Sequence, residues 1–331
     1  MRFGTIGTNF IAREFRKAGE GIKGFSITAV YSRRMETALA FSEGIPGVEC
    51  VTDLDELAAR SDVDAVYIAS PNCFHADQAR RMLNAGKHVL LEKPACPDRK
   101  TFAELCELAR KNRVVLLEAM RPAFTPGFQA LRAAVSRVGA VRRVSFLYCQ
   151  YSSRYDAYKR GVVENAFDPT LCNGALMDIG VYCAHALTAL FGPPERVLAA
   201  AQRLDNGLDS QGGALCVYPG MLADLTYSKI ADGRRQSEIQ GEEGTLLIDS
   251  VSNPKNIVFR GRDGGETAIY RDPDPEFFGM VHEIAAFMGF VARPEERLWE
   301  PFNRVTGQTL ALMDEIRWQT GIDFTGKAGM K

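Results

Sequence analysis

Between residues 1 and about 120, short runs rich in β-branched and apolar residues alternate with helix-compatible stretches. MRFGTIG, FSITAVYS, DAVYIASP, KHVLLEKP and RVVLLEAM read as strands, and DLDELAARS and ADQARRMLNAG between them read as helices. A strand-helix alternation of this kind needs crossover connections, so this part of the chain is expected to build a parallel sheet with helices on both faces. After Arg121-Pro122 the pattern changes. VRRVSFLYCQYSS, RVLAAAQRL, GALCVYPGMLADLTYSKI and GTLLIDS alternate over longer segments and read as antiparallel strands. The expected organisation is α/β: residues 1–121 as one domain with a parallel sheet, and 122–331 as an α+β domain with an open, mostly antiparallel sheet. Two helical stretches, Pro275 to Arg293 and Pro301 to Gln319, are expected to close the chain.

A length of 331 residues suits two domains, and 46% hydrophobic content supplies their cores. Forty Lys plus Arg oppose 41 Asp plus Glu, a net charge of -1, so no basic excess is available to hold nucleic acid or an anionic membrane. Small or uncharged partners fit better. The start, MRFGTIGTNFIAREF, has too short an apolar segment for a signal peptide, and no later window reads as a charge-free membrane span. The expectation is a cytoplasmic protein. Eight scattered cysteines show no CxxC pair and four histidines show no HxxxH, so neither disulfides nor a metal site is expected.

The first strand runs into Gly4-Thr-Ile-Gly7-Thr-Asn9-Phe-Ile-Ala12 and then AREFRKAG. A strand-turn-helix with glycine at the turn offers backbone amides to a pyrophosphate, which makes Gly7, Thr8, Asn9, Phe10 and Ile11 candidate cofactor contacts. Asn9 and Ala12 stand where a full G-x-G-x-x-G has glycine, and Asn9 is expected to tolerate a left-handed backbone there. The second strand ends in Ser32-Arg33-Arg34, where NAD binders carry an acid. A hydroxyl and two guanidiniums suit a 2'-phosphate, which favours NADP, with NAD the alternative. The bland alternative is a pair of ordinary solvated arginines.

Further motifs follow in order: Ser70-Pro71-Asn72 with His75, Ala85-Gly86-Lys87-His88-Val89 ending in Glu92-Lys93-Pro94, Gly174-Ala-Leu-Met-Asp178-Ile-Gly180-Val-Tyr182, and a closing MDEIRWQTGIDF. Together with the first turn, this set resembles the Gfo/Idh/MocA oxidoreductase family over the whole chain. The resemblance implies an N-terminal Rossmann domain, a second domain with an open antiparallel sheet, and a nicotinamide dinucleotide. It also implies hydride exchange with a sugar, polyol or related carbonyl compound. Many relatives carry His where Tyr182 stands, and the tyrosine version is similar to the branch of dihydrodiol and some aldose dehydrogenases.

Physical chemistry gives these residues roles. A lysine at the carboxyl end of a parallel strand can direct its ammonium into the ligand crevice; Pro94 stiffens the turn, and Glu92 can orient Lys93 or contact cofactor. Asn173 is expected to cap a helix from about Gly174 to Leu190, on which Asp178 and Tyr182, four apart, share a face, with Gly180 admitting the ligand. Tyr182 is expected to exchange a proton with the reacting oxygen, because an ammonium such as that of Lys93 lowers the ordinary phenol pKa of about 10. Asp178 is expected to hydrogen-bond substrate or to orient the pair. Against these stand a surface Lys-Glu pair, a core tyrosine and a helix-surface acid.

His75 is placed at a helix start near the cofactor, and His185 is expected as a hydrogen-bonded packing residue rather than a cleft group. Arg154, Tyr155 and Lys159 are substrate-side candidates, with a solvated loop equally open, and Arg121 is a candidate for the nicotinamide pocket. In VSFLYCQY, Val144, Phe146 and Tyr148 alternate with Leu147, Cys149 and Tyr151, so both faces of that strand are apolar. One face needs cover beyond the domain's own helices, and the resemblance implies a homodimer or homotetramer through this sheet. Two rival readings remain: a dinucleotide-binding sensor that does no chemistry, and a glycoside-cleaving enzyme that retains its cofactor.

Overall fold

The computed structural model describes residues 1–274 and 279–324. The chain forms two compact units, Met1–Met120 with Gly279–Arg304 and Arg121–Phe278 with Val305–Lys331. In the first, β1 (Arg2–Ile6), β2 (Ser26–Tyr31), β3 (Glu49–Val51), β4 (Ala65–Ile68), β5 (His88–Glu92) and β6 (Leu116–Ala119) form one sheet in the order β3-β2-β1-β4-β5-β6. All its pairings are parallel. Helices α1 (Phe10–Glu20), α2 (Met35–Ser42), α3 (Leu54–Ala59), α4 (Asn72–Asn84) and α5 (Arg99–Asn112) supply the crossovers. Every residue of β4 and β6 is buried, as a parallel strand covered on both faces requires. From β1 the chain winds one way to β2 and β3, then resumes on the other side of β1 at β4. This reversal opens a crevice at the carboxyl ends of β1 and β4.

An aromatic cluster holds this unit together. Phe15 of α1 stacks on Tyr67 of β4 with ring centroids 3.9 Å apart, and Phe3 of β1 meets Phe15 edge-on at 5.4 Å. All three rings are fully buried.

The second unit begins with α6 (Pro126–Ala134), β7 (Val141–Cys149), α7 (Tyr155–Lys159) and α8 (Val181–Phe191). Then come β8 (Arg196–Arg203), β9 (Asp209–Tyr218), β10 (Met221–Ser228), β11 (Ser237–Gly241), β12 (Gly244–Ile248), β13 (Asn256–Gly261) and β14 (Glu266–Arg271). They form an eight-stranded sheet in the order β14-β13-β12-β11-β7-β10-β9-β8. It is antiparallel except where β7 runs parallel to β10. Along β7, Val144 and Phe146 are fully buried while Arg143, Ser145 and Leu147 turn to the other face.

Two helices close the described chain, α9 (Met280–Ala292) and α10 (Glu300–Thr320). The expected helix start at Pro275 falls at residues 275–278, outside the described residues. Although the sequence pattern places all of 122–331 in one domain, Gly279–Arg304 groups with the first unit. The reason is burial: Phe287 of α9 is fully buried and packs on Phe3 with centroids 6.0 Å apart. In the first turn of α10, Asn303 donates to the Leu116 carbonyl at 2.9 Å, whereas Thr309 further along bonds the Thr188 hydroxyl of α8 at 2.8 Å. Pro169–Phe191, 23 residues, holds an 18-residue window of mean hydropathy 1.4, long and apolar enough to cross a membrane by length and composition, but 72% of that window is buried within the fold.

Candidate active site

In the first unit the carboxyl ends of β2, β1, β4 and β5 lie side by side. The turns Ser32–Arg34, Gly7–Ile11, Ser70–Asn72 and Glu92–Pro94 therefore share one end of the sheet. Gly7 has φ +108°, and a Cβ there would sit 2.7 Å from the Ala69 carbonyl oxygen, so only glycine fits. Asn9 departs from expectation: its backbone is extended (φ -77°, ψ -175°), not left-handed. Its side chain explains why, because Oδ1 accepts from the Ala12 amide at 3.1 Å and Nδ2 donates to the Ala69 carbonyl at 2.8 Å. Asn9 thus caps α1 and ties it to the end of β4. Thr8, Phe10 and Ile11 make up the helix start, whose amides and dipole favour an anion.

At the end of β2, the Ser32 hydroxyl bonds that of Thr37 at 2.5 Å. Arg33 and Arg34 are exposed, and neither has a carboxylate partner among the described residues. The Arg33 guanidinium lies 5.8 Å from the Phe74 ring. A glycine-lined turn, a capped helix start and two cations without acids fit a dinucleotide carrying a 2'-phosphate.

The β4 and β5 turns are joined by His75, which is buried. Its Nδ1 lies 3.0 Å from the Pro94 carbonyl and its Nε2 lies 2.9 Å from that of Ser70. Burial lowers its pKa while the two carbonyls work the other way, and the neutral ring donates to only one of them. Ser70 donates to Gln78 at 2.6 Å, Pro71 precedes α4, and Asn72 is its first residue. Tyr67 donates to Glu92 Oε1 at 2.5 Å, and Glu92 Oε2 accepts from the Lys93 amide at 3.1 Å. The Lys93-Pro94 bond is cis. Glu118, also buried, accepts from the Ala95 amide at 2.8 Å. Two buried carboxylates thus hold the backbone around Lys93, whose side chain is half-buried.

In the second unit the 174–191 motif is not one regular helix. A π-turn spans Leu176–Gly180 before α8 starts at Val181. Asn173 precedes the turn, and its side-chain Nδ2 donates to the Asn165 carbonyl at 2.6 Å. The cap comes from β9: Asp209 Oδ2 accepts from the Leu176 amide at 2.7 Å. Gly174, with φ +144°, leaves room for that carboxylate, because a Cβ there would fall 1.8 Å from Asp209 Oδ1. Burial pushes Asp209 up to about 6 from 3.8, against the pull of the backbone donors and Lys229.

Asp178 lies in the π-turn, 38% exposed, with its Oδ2 2.9 Å from Lys229 Nζ. Tyr182, in the first turn of α8, is half-buried against Tyr148 with centroids 5.7 Å apart. Gly180 serves packing rather than ligand approach, as a Cβ there would meet the Tyr227 ring at 3.0 Å. His185 packs as expected, 5.9 Å from the Phe128 ring, but neither ring nitrogen has a hydrogen-bond partner among the described residues. Burial lowers it to about 3, so it stays neutral.

Tyr155 and Lys159 belong to α7, and Arg154 precedes it. Lys159 pairs with Asp156 at 2.6 Å and also donates to the Tyr151 hydroxyl at 2.8 Å. Arg154 pairs with Glu164 at 3.4 Å, and Tyr155 stacks on Phe167 with centroids 5.8 Å apart. Arg121 donates to the Ser252 carbonyl at 3.3 Å. Among the described residues no cluster could hold a metal ion.

Residues 1–120 match the description "Oxidoreductase family, NAD-binding Rossmann fold", and residues 128–247 match the Gfo/Idh/MocA C-terminal domain. The chain belongs to the Gfo/Idh/MocA oxidoreductase family. Among relatives of this Gfo/Idh/MocA protein, the scyllo-inositol 2-dehydrogenase (NADP(+)) IolU of Bacillus subtilis is 42% identical over 325 residues, 98% of each chain. The trans-1,2-dihydrobenzene-1,2-diol dehydrogenase of Xenopus tropicalis is 30% identical, covering 72% of this chain and 71% of that one. The structure of KijD10, a 3-ketoreductase from Actinomadura kijaniata in complex with NADP and TDP-benzene, superposes with a TM-score of 0.85. It is 26% identical, with 97% of this chain and 98% of that one covered.

Two residues of this family member escaped the sequence reading, Asp209 and Lys229. Neither lies in a recognisable motif, and each reaches the π-turn from a strand end distant in sequence. For Asp209 the pKa shift yields a test with a definite sign. Its folded pKa lies above the unfolded value, so the stability it contributes is present below about pH 4 and is lost as pH rises through about 6. Asp209→Asn keeps an acceptor for Leu176 but cannot ionise. In urea unfolding, the stability of the variant minus that of the parent should rise by on the order of 1 kcal/mol or more between about pH 4 and about pH 7. His185 has the opposite slope in both proteins and cancels. A difference that does not change with pH contradicts the buried, ionising cap.

Proposed function

We propose that this protein is an NADP-linked oxidoreductase that interconverts a CH–OH group of a neutral, ring-shaped polyol and the corresponding ketone. The observation that carries this reading is the charge state of the substrate-side segment. Arg154, Lys159 and Lys229 each have a carboxylate partner of their own, Glu164, Asp156 and Asp178. Apart from the exposed Arg160, what remains there is hydroxyls and aromatic faces, which suit uncharged hydroxyl groups better than a phosphorylated or nucleotide-linked sugar. The 42% identical relative named as an NADP(+)-dependent scyllo-inositol dehydrogenase supports the same class.

NADP supplies the hydride acceptor or donor. Gly7 to Ile11, Ser70 to Asn72 and Glu92 hold the dinucleotide side, Ser32, Arg33 and Arg34 take its 2'-phosphate, and His75 fixes the two turns between them. Arg121 contributes to the nicotinamide side. Tyr182 takes the proton from the substrate hydroxyl in oxidation and returns it in reduction, while the Lys93 ammonium stabilises the charge that develops on that oxygen. Asp178 orients the substrate hydroxyl.

Lys93→Met and Tyr182→Phe should each lower kcat on a cyclic polyol at least about tenfold while changing NADPH affinity less than about twofold. Unchanged kcat in either variant removes that residue from the mechanism.

A second copy of the chain is proposed to cover the outer face of the second sheet. Leu198 and Leu215 are registered neighbours there, as are Leu247 and Val258, with Leu222 also on this face and Leu198 52% exposed. Between these apolar ends lies a central polar row in which Arg143 pairs with Asp224 at 2.7 Å. Such a face can pack on itself about a two-fold axis. Light scattering should give the mass of a dimer or tetramer, and a monomer at working concentration contradicts the assignment.

A further inference from the structure

We propose that Lys229 is a positioning residue: it grips Asp178 and locks the π-turn to the aromatic shelf beside it. Lys229 follows β10, 51 residues beyond Asp178 in sequence, yet its Nζ reaches Asp178 Oδ2 at 2.9 Å. The two partners are unequal. The lysine side chain is 3% exposed and that of Asp178 is 38% exposed, so the cation is committed inward while the carboxylate side chain is partly exposed.

Burying an ammonium is costly unless it is paired and hydrogen-bonded, and an apolar residue of similar length would fill the space at less cost. The lysine is therefore better explained by what its charge holds than by packing. Its second acceptor is the Ala166 carbonyl at 2.7 Å, and the Phe167 ring lies 4.9 Å away. Phe167 in turn stacks on Tyr155 and Tyr158 with centroids 5.8 and 5.7 Å apart. One ammonium thus joins the Asp178 turn to the segment that carries Tyr155.

The backbone of Lys229 is itself fixed. Its amide donates to the Ser210 carbonyl at 2.9 Å and its carbonyl accepts from the Ser152 amide at 2.9 Å. Ser210 adjoins Asp209, the residue that caps Leu176. The neighbouring ends of β9 and β10 therefore hold the same turn twice, once through a backbone amide and once through the Asp178 side chain.

The inference rests on the oxidoreductase reading, and a double-mutant cycle tests it. Lys229→Met should lower kcat on a cyclic polyol about tenfold with NADPH affinity unchanged, but by less than about twofold when introduced into Asp178→Asn, because the residue it acts through is already altered. Equal losses in the two backgrounds, or full activity of Lys229→Met, overturn the proposal and leave the oxidoreductase reading intact. A parent protein that turns over no polyol removes that reading, and this inference with it. If Lys229→Met does not bind NADPH as folded protein, Lys229→Gln, which retains a donor for Ala166, takes its place in the cycle with the same expected outcomes.

Discussion

The first unit is governed by the passage of the β1 backbone against that of β4 at Gly7 and Ala69. The Ala69 carbonyl is where a Cβ at residue 7 would stand, and it is also the acceptor for the Asn9 side chain. One carbonyl therefore dictates glycine at the turn and anchors the cap of α1. The stacked Phe15 and Tyr67 rings set the depth of that helix on the sheet, and the Tyr67 hydroxyl carries the same packing to Glu92 and the Lys93 turn. Core packing and site geometry are linked through this hydroxyl: its ring is part of the hydrophobic core, and its oxygen is part of the support around a candidate catalytic lysine.

The second unit solves a related problem by other means. A π-turn leaves backbone groups that a regular helix would pair, and here the support arrives from the sheet. Asp209 takes the Leu176 amide, Gly174 makes room for it, and Lys229 holds Asp178. Both side chains are almost wholly buried, which makes each an expense in solvation that only its specific partner offsets. Asp209, lifted towards neutrality by burial, is the clearer case.

Much of this was legible in the sequence because the signals were local. Strand-helix alternation gave the parallel sheet, and the turn motifs gave the residues at its carboxyl end. The strands not foreseen, β3, β11, β13 and β14, are short or polar at many positions, so their periodicity is weak and only pairing with a neighbour defines them. Asn9 was read as a stand-in for glycine, whereas its side chain favours capping over a left-handed backbone. Asp209 and Lys229 could not be found by spacing, since their roles depend on how β9 and β10 return to a turn at residues 174–180. The packing of α9 in the first unit likewise depends on Phe287 meeting Phe3, a contact between chain ends.

The central claim is hydride exchange between NADP and a neutral cyclic polyol. The most direct test is to incubate the protein with NADP+ or NAD+ and scyllo-inositol deuterated at carbon, and to follow the nicotinamide C4 position by NMR. Deuterium should appear at C4 of the reduced cofactor, faster with NADP+ than with NAD+, together with one equivalent of the ring ketone. Folded, cofactor-binding protein that transfers no deuterium from this or any other neutral cyclic polyol contradicts the account.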